Sequence, residues 1–124
     1  MKQPIKNNTN KPKKTTEEQV KVYETISPLL KAAFDEVKEF SKKKQEELLN
    51  VKKVKMINRL LEKAKEVLKN EPSYDFLDML DESELPSNSD VVLIMSQYIS
   101  AMNSFRHDHY RNSAWDIDLG GSWD

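Results

Sequence analysis

Two histidines separated by one residue, His107 and His109, most resemble a catalytic or metal-binding group in this chain. On an α-helix, residues two apart point about 160° away from each other, so the two imidazoles cannot share one metal ion there. Helical zinc sites instead use histidines four positions apart. Beyond a helix end, an extended His-Asp-His could chelate a metal together with Asp116 or Asp118. We favour solvated histidines at a helix C-terminus, where positive charge is stabilised.

Four acidic residues, Asp75, Asp78, Asp81 and Glu82, could share one face of a short helix. Paired carboxylates act as general acids and bases or bind divalent cations. The sequence has no glycine-containing calcium loop, no cysteine nucleophile and no Gly-x-Ser-x-Gly elbow. A solvated acidic face is the preferred interpretation. We therefore predict a protein that is not an enzyme and has no metal site and no cofactor.

Four basic residues, Lys52, Lys55, Arg59 and Lys63, line one face of a predicted helix. A ridge of this kind can contact phosphates and is the candidate nucleic-acid site of our alternative functional prediction. Two glutamates lie among the four at salt-bridging spacing, which weakens the positive potential. No aromatic residue is interleaved to stack on bases. A solvated helix face is the simpler interpretation.

The composition excludes several classes of protein. The 124 residues contain no cysteine, which rules out disulfides and thiolate chemistry and fits a reducing, cytoplasmic location. There are two glycines, both near the C-terminus, so Rossmann and P-loop nucleotide sites are excluded. The sequence predicts neither a secretory signal nor a membrane-spanning stretch. Its high lysine and asparagine content is typical of an AT-rich bacterial or phage genome.

Charge is distributed unevenly along the chain. Residues 1–70 carry 18 Lys and Arg against 10 Asp and Glu, whereas residues 71–124 carry 2 against 11. Such a division indicates either charged partners or basic and acidic elements that pack against each other.

Helix signals begin after a basic tail, residues 1–14, that we expect to be disordered. Thr15 to Glu18 has the form of a capping box, with Thr15 as the N-cap and Glu18 reaching back. Ser27-Pro28 predicts a new helix or a kink starting at Pro28. A helical domain is expected over residues 15–112.

Residues 28–69 form a long or bent helical segment by prediction, because they lack glycine and, after Pro28, proline. Helical spacing gives a first apolar face composed of Ile26, Leu30, Ala33, Phe34, Val37, Phe40, Leu48 and Val51. It gives a second apolar face composed of Val54, Ile57, Leu60, Leu61, Ala64, Val67 and Leu68. The phase changes between the two faces, which predicts two helices or one helix bent near Asn50. The solvated span 41–47 then either projects from the body or forms the connection.

Two further helices are predicted downstream. Ser73 is the expected cap of a short helix from Tyr74 to about Ser83, with Phe76 on its inner side. Ser89 is the expected cap of a helix over about 90–110 that is apolar on most sides and so should be central. The predicted fold class is an all-α, small helical bundle of four to five helices around this central helix.

The C-terminal residues 113–124 differ in kind from the rest. The apolar residues Trp115, Ile117 and Leu119 alternate with Asp116 and Asp118, which is the pattern of an extended segment. Aromatic side chains framed by charge are typical of interface hot spots. We therefore predict that this segment, including Trp123, contacts a partner. Docking of the tryptophans on the protein's own helices is the competing interpretation.

The functional prediction is a non-enzymatic helical protein–protein interaction module of the antitoxin, immunity, inhibitor or small accessory subunit type. Its predicted partner is another protein, bound through the acidic, Trp-bearing C-terminal half at Trp115, Asp116, Ile117, Asp118 and Trp123. A homo-oligomer is the second option for the partner. The alternative is a nucleic-acid-binding accessory protein that uses the basic N-terminal half.

Overall fold

The computed structural model describes residues 15–111 and 122–123, so the predicted tail 1–14 and the segment 112–121 lie outside the described residues. The ordered elements are helix α1 (Glu17–Lys43), helix α2 (Val51–Leu68), a 3₁₀ turn (Tyr74–Phe76), helix α3 (Asn88–His109), and the two-residue strands β1 (Tyr110–Arg111) and β2 (Ser122–Trp123). The predicted all-α class is confirmed. The described residues form three α-helices, and the predicted four to five are not confirmed.

Helix α1 begins one residue later than predicted. Thr16, not Thr15, is the N-cap: its side chain accepts from the Gln19 amide, and the Gln19 side chain accepts from the Thr16 amide, both at 3.0 Å. The side-chain nitrogen of Gln19, Nε2, also donates to the Val67 carbonyl at the end of α2, at 3.1 Å. This contact between helices gives Gln19 a role that Glu18 could not fill, since a carboxylate has no hydrogen to donate.

Pro28 does not start a new helix, and α1 runs through it without interruption. Proline removes one backbone hydrogen bond, which normally breaks a helix interior. Here Pro28 lies on the solvent side, where water can hydrate the carbonyl left without a partner. Ile26 and Leu30, on either side of it, are both buried in the core. Burial of these flanking side chains therefore holds the helix together across the proline.

Residues 44–50 separate α1 from α2, so the segment 28–69 is two helices joined by a short connection. Asn50 caps α2, and its side chain accepts from the Lys53 amide at 2.9 Å. The connection is fastened to the start of α3: the Asn88 side chain donates to the Lys44 carbonyl at 2.9 Å, and the Asn88 amide donates to Glu47 at 2.8 Å. The start of α3 thus satisfies the carbonyl group at the C-cap of α1 and a second one within the connection.

The core contains most of the second apolar face and only part of the first. Every member of the second face is buried except Leu60, which is partly exposed. Of the first face, Ile26, Leu30 and Val37 are buried, whereas the side chains near the α1–α2 connection are exposed. Those exposed side chains are Phe40, Leu48 and Val51.

Helix α3 buries one side rather than most of its circumference. Its cap is Ser87, not Ser89, and the Ser87 hydroxyl accepts from the Asp90 amide at 3.2 Å. The buried line, spaced alternately by four and three, is Val91, Met95, Tyr98, Met102 and Phe105. Leu93 is 60% exposed. The apolar run after Asp90 therefore predicted more burial of this helix than the fold provides.

The helix predicted from Tyr74 to Ser83 is wrong beyond its first turn. Only Tyr74–Phe76 forms a 3₁₀ turn, and no helix is present over residues 77–84. Phe76, predicted to face inward, is exposed, while Leu77 and Leu80 are buried. Side chains of α2 and α3 hydrogen-bond to this backbone instead, in place of the bonds that a helix would have made.

Candidate partner-binding surfaces

The only member of the predicted C-terminal partner site within the described residues is Trp123, and it packs against the protein's own helices. Its ring centroid lies 5.1 Å from that of Tyr23, 5.7 Å from Phe105 and 5.0 Å from Tyr110. Its indole nitrogen donates to the Glu24 carboxylate at 3.3 Å. Antiparallel pairing of Tyr110 with Trp123 brings the chain back to this position. Trp115, Asp116, Ile117 and Asp118 lie outside the described residues.

The two histidines point to different environments, as helical geometry requires. His107 is exposed, but His109 is 3% exposed, so the prediction of solvated histidines is wrong for His109. The His109 Nε2 atom lies 3.2 Å from the Glu71 carboxylate, and its ring packs 4.8 Å from that of Phe105. This pair joins the end of α3 to the segment after α2. Among the described residues, no group of three or more His, Asp or Glu side chains could hold a metal ion.

The acidic segment 69–84 is fastened to the helical body through its backbone. The Lys65 ammonium donates to the Leu77 carbonyl at 2.9 Å, and the Tyr98 hydroxyl donates to the Asp78 carbonyl at 2.8 Å. Burial raises the pKa of the Tyr98 phenol, so it stays protonated and a donor at alkaline pH values where an exposed tyrosine would ionise.

Asn58 makes the tightest attachment of this segment. Its side-chain amide both donates to the Leu80 carbonyl and accepts from the Leu80 amide, each at 2.9 Å. It also donates to the Glu82 carboxylate at 3.1 Å. The Asn58 side chain therefore takes the place of a neighbouring strand. A polar residue between Ile57 and Leu61 on the second apolar face was the sequence signal for this role, and sequence reasoning missed it.

Phe76 is the most exposed large apolar side chain among the described residues, at 75%. It lines a groove of ≈ 450 Å³ between the acidic segment and α3, here called the acidic groove. Other residues that line it include Pro72, Leu77, Ser100, Ser104 and Asp108. Ser100 and Ser104 are both exposed and form the floor of this groove on the α3 side.

The charged residues that line the acidic groove are Glu71 and Asp108, both negative, and Asp108 lies at the α3 side. Asp75 and Asp78 lie one and two positions from Phe76 in the sequence and are exposed. Glu71 is also paired with His109. Of the predicted acidic cluster, Asp81 instead folds back on its own turn, where backbone amides of Glu84 and Ser83 lower its carboxyl pKa. In charge, this arrangement is complementary to a cationic segment.

All four residues of the predicted nucleic-acid site are exposed on α2: Lys52, Lys55, Arg59 and Lys63. The ammonium of Lys63 lies 3.6 Å from the Glu66 carboxylate. As expected from the sequence, a glutamate therefore weakens the positive potential at the Lys63 end of this face. The remaining three cations lie towards the α1–α2 connection.

None of the helices among the described residues combines the length and apolarity that a bilayer-crossing segment requires. Comparisons of this chain with protein-family models, with curated proteins and with solved structures found no match.

Proposed function

We propose that this protein is a non-enzymatic protein-interaction module that binds a basic, apolar-anchored segment of another protein in the acidic groove. The observation that carries the proposal is the exposure of Phe76 on a fixed backbone. Leu77 and Leu80 are buried immediately after it, and the hydrogen bonds from Lys65 and Asn58 hold the segment in place. An aromatic ring presented in this way loses little conformational entropy on binding.

The partner's chemistry follows from the groove's surroundings. Asp75, Asp78 and Asp108 would repel an acidic segment and attract lysine or arginine side chains. Exposed charges of this kind raise the association rate and set specificity, while the Phe76 ring supplies most of the affinity. Trp115, Asp116, Ile117 and Asp118 belong to the same acidic half and remain predicted contacts. The antitoxin, immunity, inhibitor or accessory-subunit role and the cytoplasmic location belong to this proposal as well.

Titration with a panel of lysine- and arginine-rich peptides, each carrying one large apolar residue, tests the proposal. We expect binding that weakens as salt is added, because the charged contacts are solvent-exposed. Phe76→Ala should raise the dissociation constant by about tenfold or more, as loss of a hot-spot ring does. Leu93→Ala is the matched control, since Leu93 is a comparably exposed apolar side chain on α3.

Two outcomes would contradict the proposal: failure of every peptide in the panel to bind, or equal loss of affinity in Phe76→Ala and Leu93→Ala. Amide chemical shifts followed by NMR during the titration show where on the protein the peptide binds. Shifts that cluster on α2 rather than around Ser100 and Ser104 would also count against the acidic groove.

Nucleic-acid binding is the second candidate, and the exposure of Lys52, Lys55 and Arg59 on one face supports it. Binding to a DNA or RNA duplex should then fall steeply with salt, with a slope that reports the number of phosphates contacted. Lys55→Glu combined with Arg59→Glu should abolish that binding. Unchanged binding in this variant would remove the candidate.

A further inference from the structure

The basic tail, residues 1–14, has the composition that the acidic groove would select. It precedes the described residues and contains five lysines but no aspartate or glutamate. Its one branched aliphatic side chain is Ile5, which stands between Lys2 and Lys6 in the sequence. A cationic segment with an apolar anchor is the ligand that we propose for the acidic groove. The chain therefore carries a segment with the chemistry of that ligand.

The start of α1, where the basic tail joins the body, lies beside the end of α2. The Gln19 side chain in the first turn of α1 donates to the Val67 carbonyl at 3.1 Å, which joins the two helix ends directly. Glu71 follows within one turn, where its amide donates to the Leu68 carbonyl at 2.9 Å. Glu71 lines the acidic groove. The basic tail therefore leaves the body at the same end of the molecule as this groove.

The basic tail is long enough to enter the acidic groove. One spacing between packed helices, about 10 Å, and about one turn along each helix separate Thr15 from Glu71, which gives a path of roughly 20 Å. Ile5 stands ten positions before Thr15. An extended chain of that length spans about 33 Å. Ile5 can therefore pass Glu71 and reach the Phe76 ring.

We propose that the basic tail docks in the acidic groove of its own chain and competes there with the partner segment, an inference that rests on the proposed function of the groove. Ile5 packs on the Phe76 ring, and the neighbouring lysines face the carboxylates around it. The docked tail shields the exposed ring from water until a tighter ligand displaces it. The groove is thereby closed to weak ligands and open to strong ones.

Charge complementarity supports the basic tail as the occupant. Asp108 and Glu71, the second of which is paired with a histidine, line the groove, and among the described residues no lysine or arginine does. On the way from the start of α1, Lys69 is exposed, but Glu17 and Glu18 in the first turn of α1 outnumber it. A tail with five lysines and no acidic residue is therefore attracted both along this route and in the groove.

Tethering makes weak docking effective. A ligand joined to its site by a short linker is present there at an effective concentration of about 1 mM. The basic tail then fills half of the grooves if its own dissociation constant is also about 1 mM. A competing peptide binds only the open half, so its apparent dissociation constant is raised about twofold, and about fivefold if one groove in five is open.

Two full-chain variants with the same net charge test the docking. The tail variant changes three lysines of the basic tail to glutamine: Lys6, Lys11 and Lys13. The control variant makes the same change at three exposed lysines that do not line the acidic groove: Lys31, Lys52 and Lys55. Because each variant loses three positive charges, the general attraction between the protein and a cationic peptide changes alike in both. Circular dichroism confirms that each variant is folded.

The NMR amide signals of Ser100 and Ser104, on the floor of the groove, report docking without any added ligand. We expect them to differ from wild type in the tail variant and in Ile5→Ser, but not in the control variant. The difference should persist on dilution, since the contact lies within one chain. Unchanged signals would overturn the docking. A difference that disappears on dilution would place the tail on a second copy and overturn the contact within one chain.

Peptide affinity separates this inference from the proposed function. For a lysine- and arginine-rich peptide that binds the wild-type chain, the tail variant should have a dissociation constant about two- to fivefold lower than the control variant. Equal values in the two variants would refute competition by the basic tail, while the proposed function would stand. Failure of every peptide to bind would instead refute the proposed function, and the amide signals would still decide whether the tail docks.

Discussion

Replacement of Asn58 by leucine tests whether its side chain holds the acidic segment on α2. Asn58 is buried, and its amide satisfies both the amide and the carbonyl of Leu80, itself buried, at 2.9 Å. Leucine has the same number and branching of side-chain heavy atoms but leaves both backbone groups without a partner. An unsatisfied buried polar group costs about 1–3 kcal/mol, so the loss of two partners should lower the free energy of unfolding of Asn58→Leu by about 2–6 kcal/mol. This is a large fraction of the 5–15 kcal/mol of a typical domain, taken as an order of magnitude.

Urea denaturation followed by far-UV circular dichroism measures this change, and thermal unfolding should show a fall of about 4–8 °C for each kcal/mol. Asn103→Leu, on the exposed side of α3, is the matched control and should change stability little. Asn58→Asp keeps the acceptor for the Leu80 amide but places a carboxylate against the Leu80 carbonyl and Glu82. Its stability should therefore recover on acidification. A loss in Asn58→Leu no larger than in the control would refute the role assigned to Asn58.

Three further predictions concern single side chains. Tyr98→Phe should lower the free energy of unfolding by about 1–2 kcal/mol, because it leaves the Asp78 carbonyl without its donor; an unchanged urea midpoint would contradict this. Trp123→Ala should destabilise the domain by about 2–4 kcal/mol and abolish near-UV ellipticity from its contact with Phe105; a melting temperature equal to that of wild type would show that the ring is dispensable. The Asp81 carboxyl should titrate below its ordinary range by NMR, because two backbone amides stabilise its ionised form. Since its folded-state pKa is lowered, the stability it contributes is present above its unfolded-state pKa and is lost as pH falls through the folded value; a midpoint at or above the ordinary value would contradict the turn geometry.

The sequence predicted the elements whose signals are local and repeated. The second apolar face lies on α2 almost as its spacing requires, from Val54 to Leu68. Asn50 marks the start of that helix, and the near absence of glycine correctly indicated helices rather than sheets. These signals succeed because helix spacing and capping depend on residues a few positions apart.

The candidate surfaces could be predicted only in part. Exposure of Lys52, Lys55 and Arg59 follows from their position opposite the second apolar face. The outward position of Phe76 does not, since its spacing equally suits the inner side of a short helix. That helix is absent because Lys65, Asn58 and Tyr98 bind its backbone from residues distant in the sequence.

Tertiary structure alone decided the remaining features. Intrinsic preferences for or against helix at one residue amount to about 1 kcal/mol, and about 3 kcal/mol for proline, so contacts between distant residues can reverse them. Burial of Ile26 and Leu30 keeps α1 continuous across Pro28, and Asn88 moves the cap of α3 from Ser89 to Ser87 by binding the α1–α2 connection. Trp123 lies on Tyr23, a contact across 100 positions of the chain that no pattern of neighbouring residues encodes.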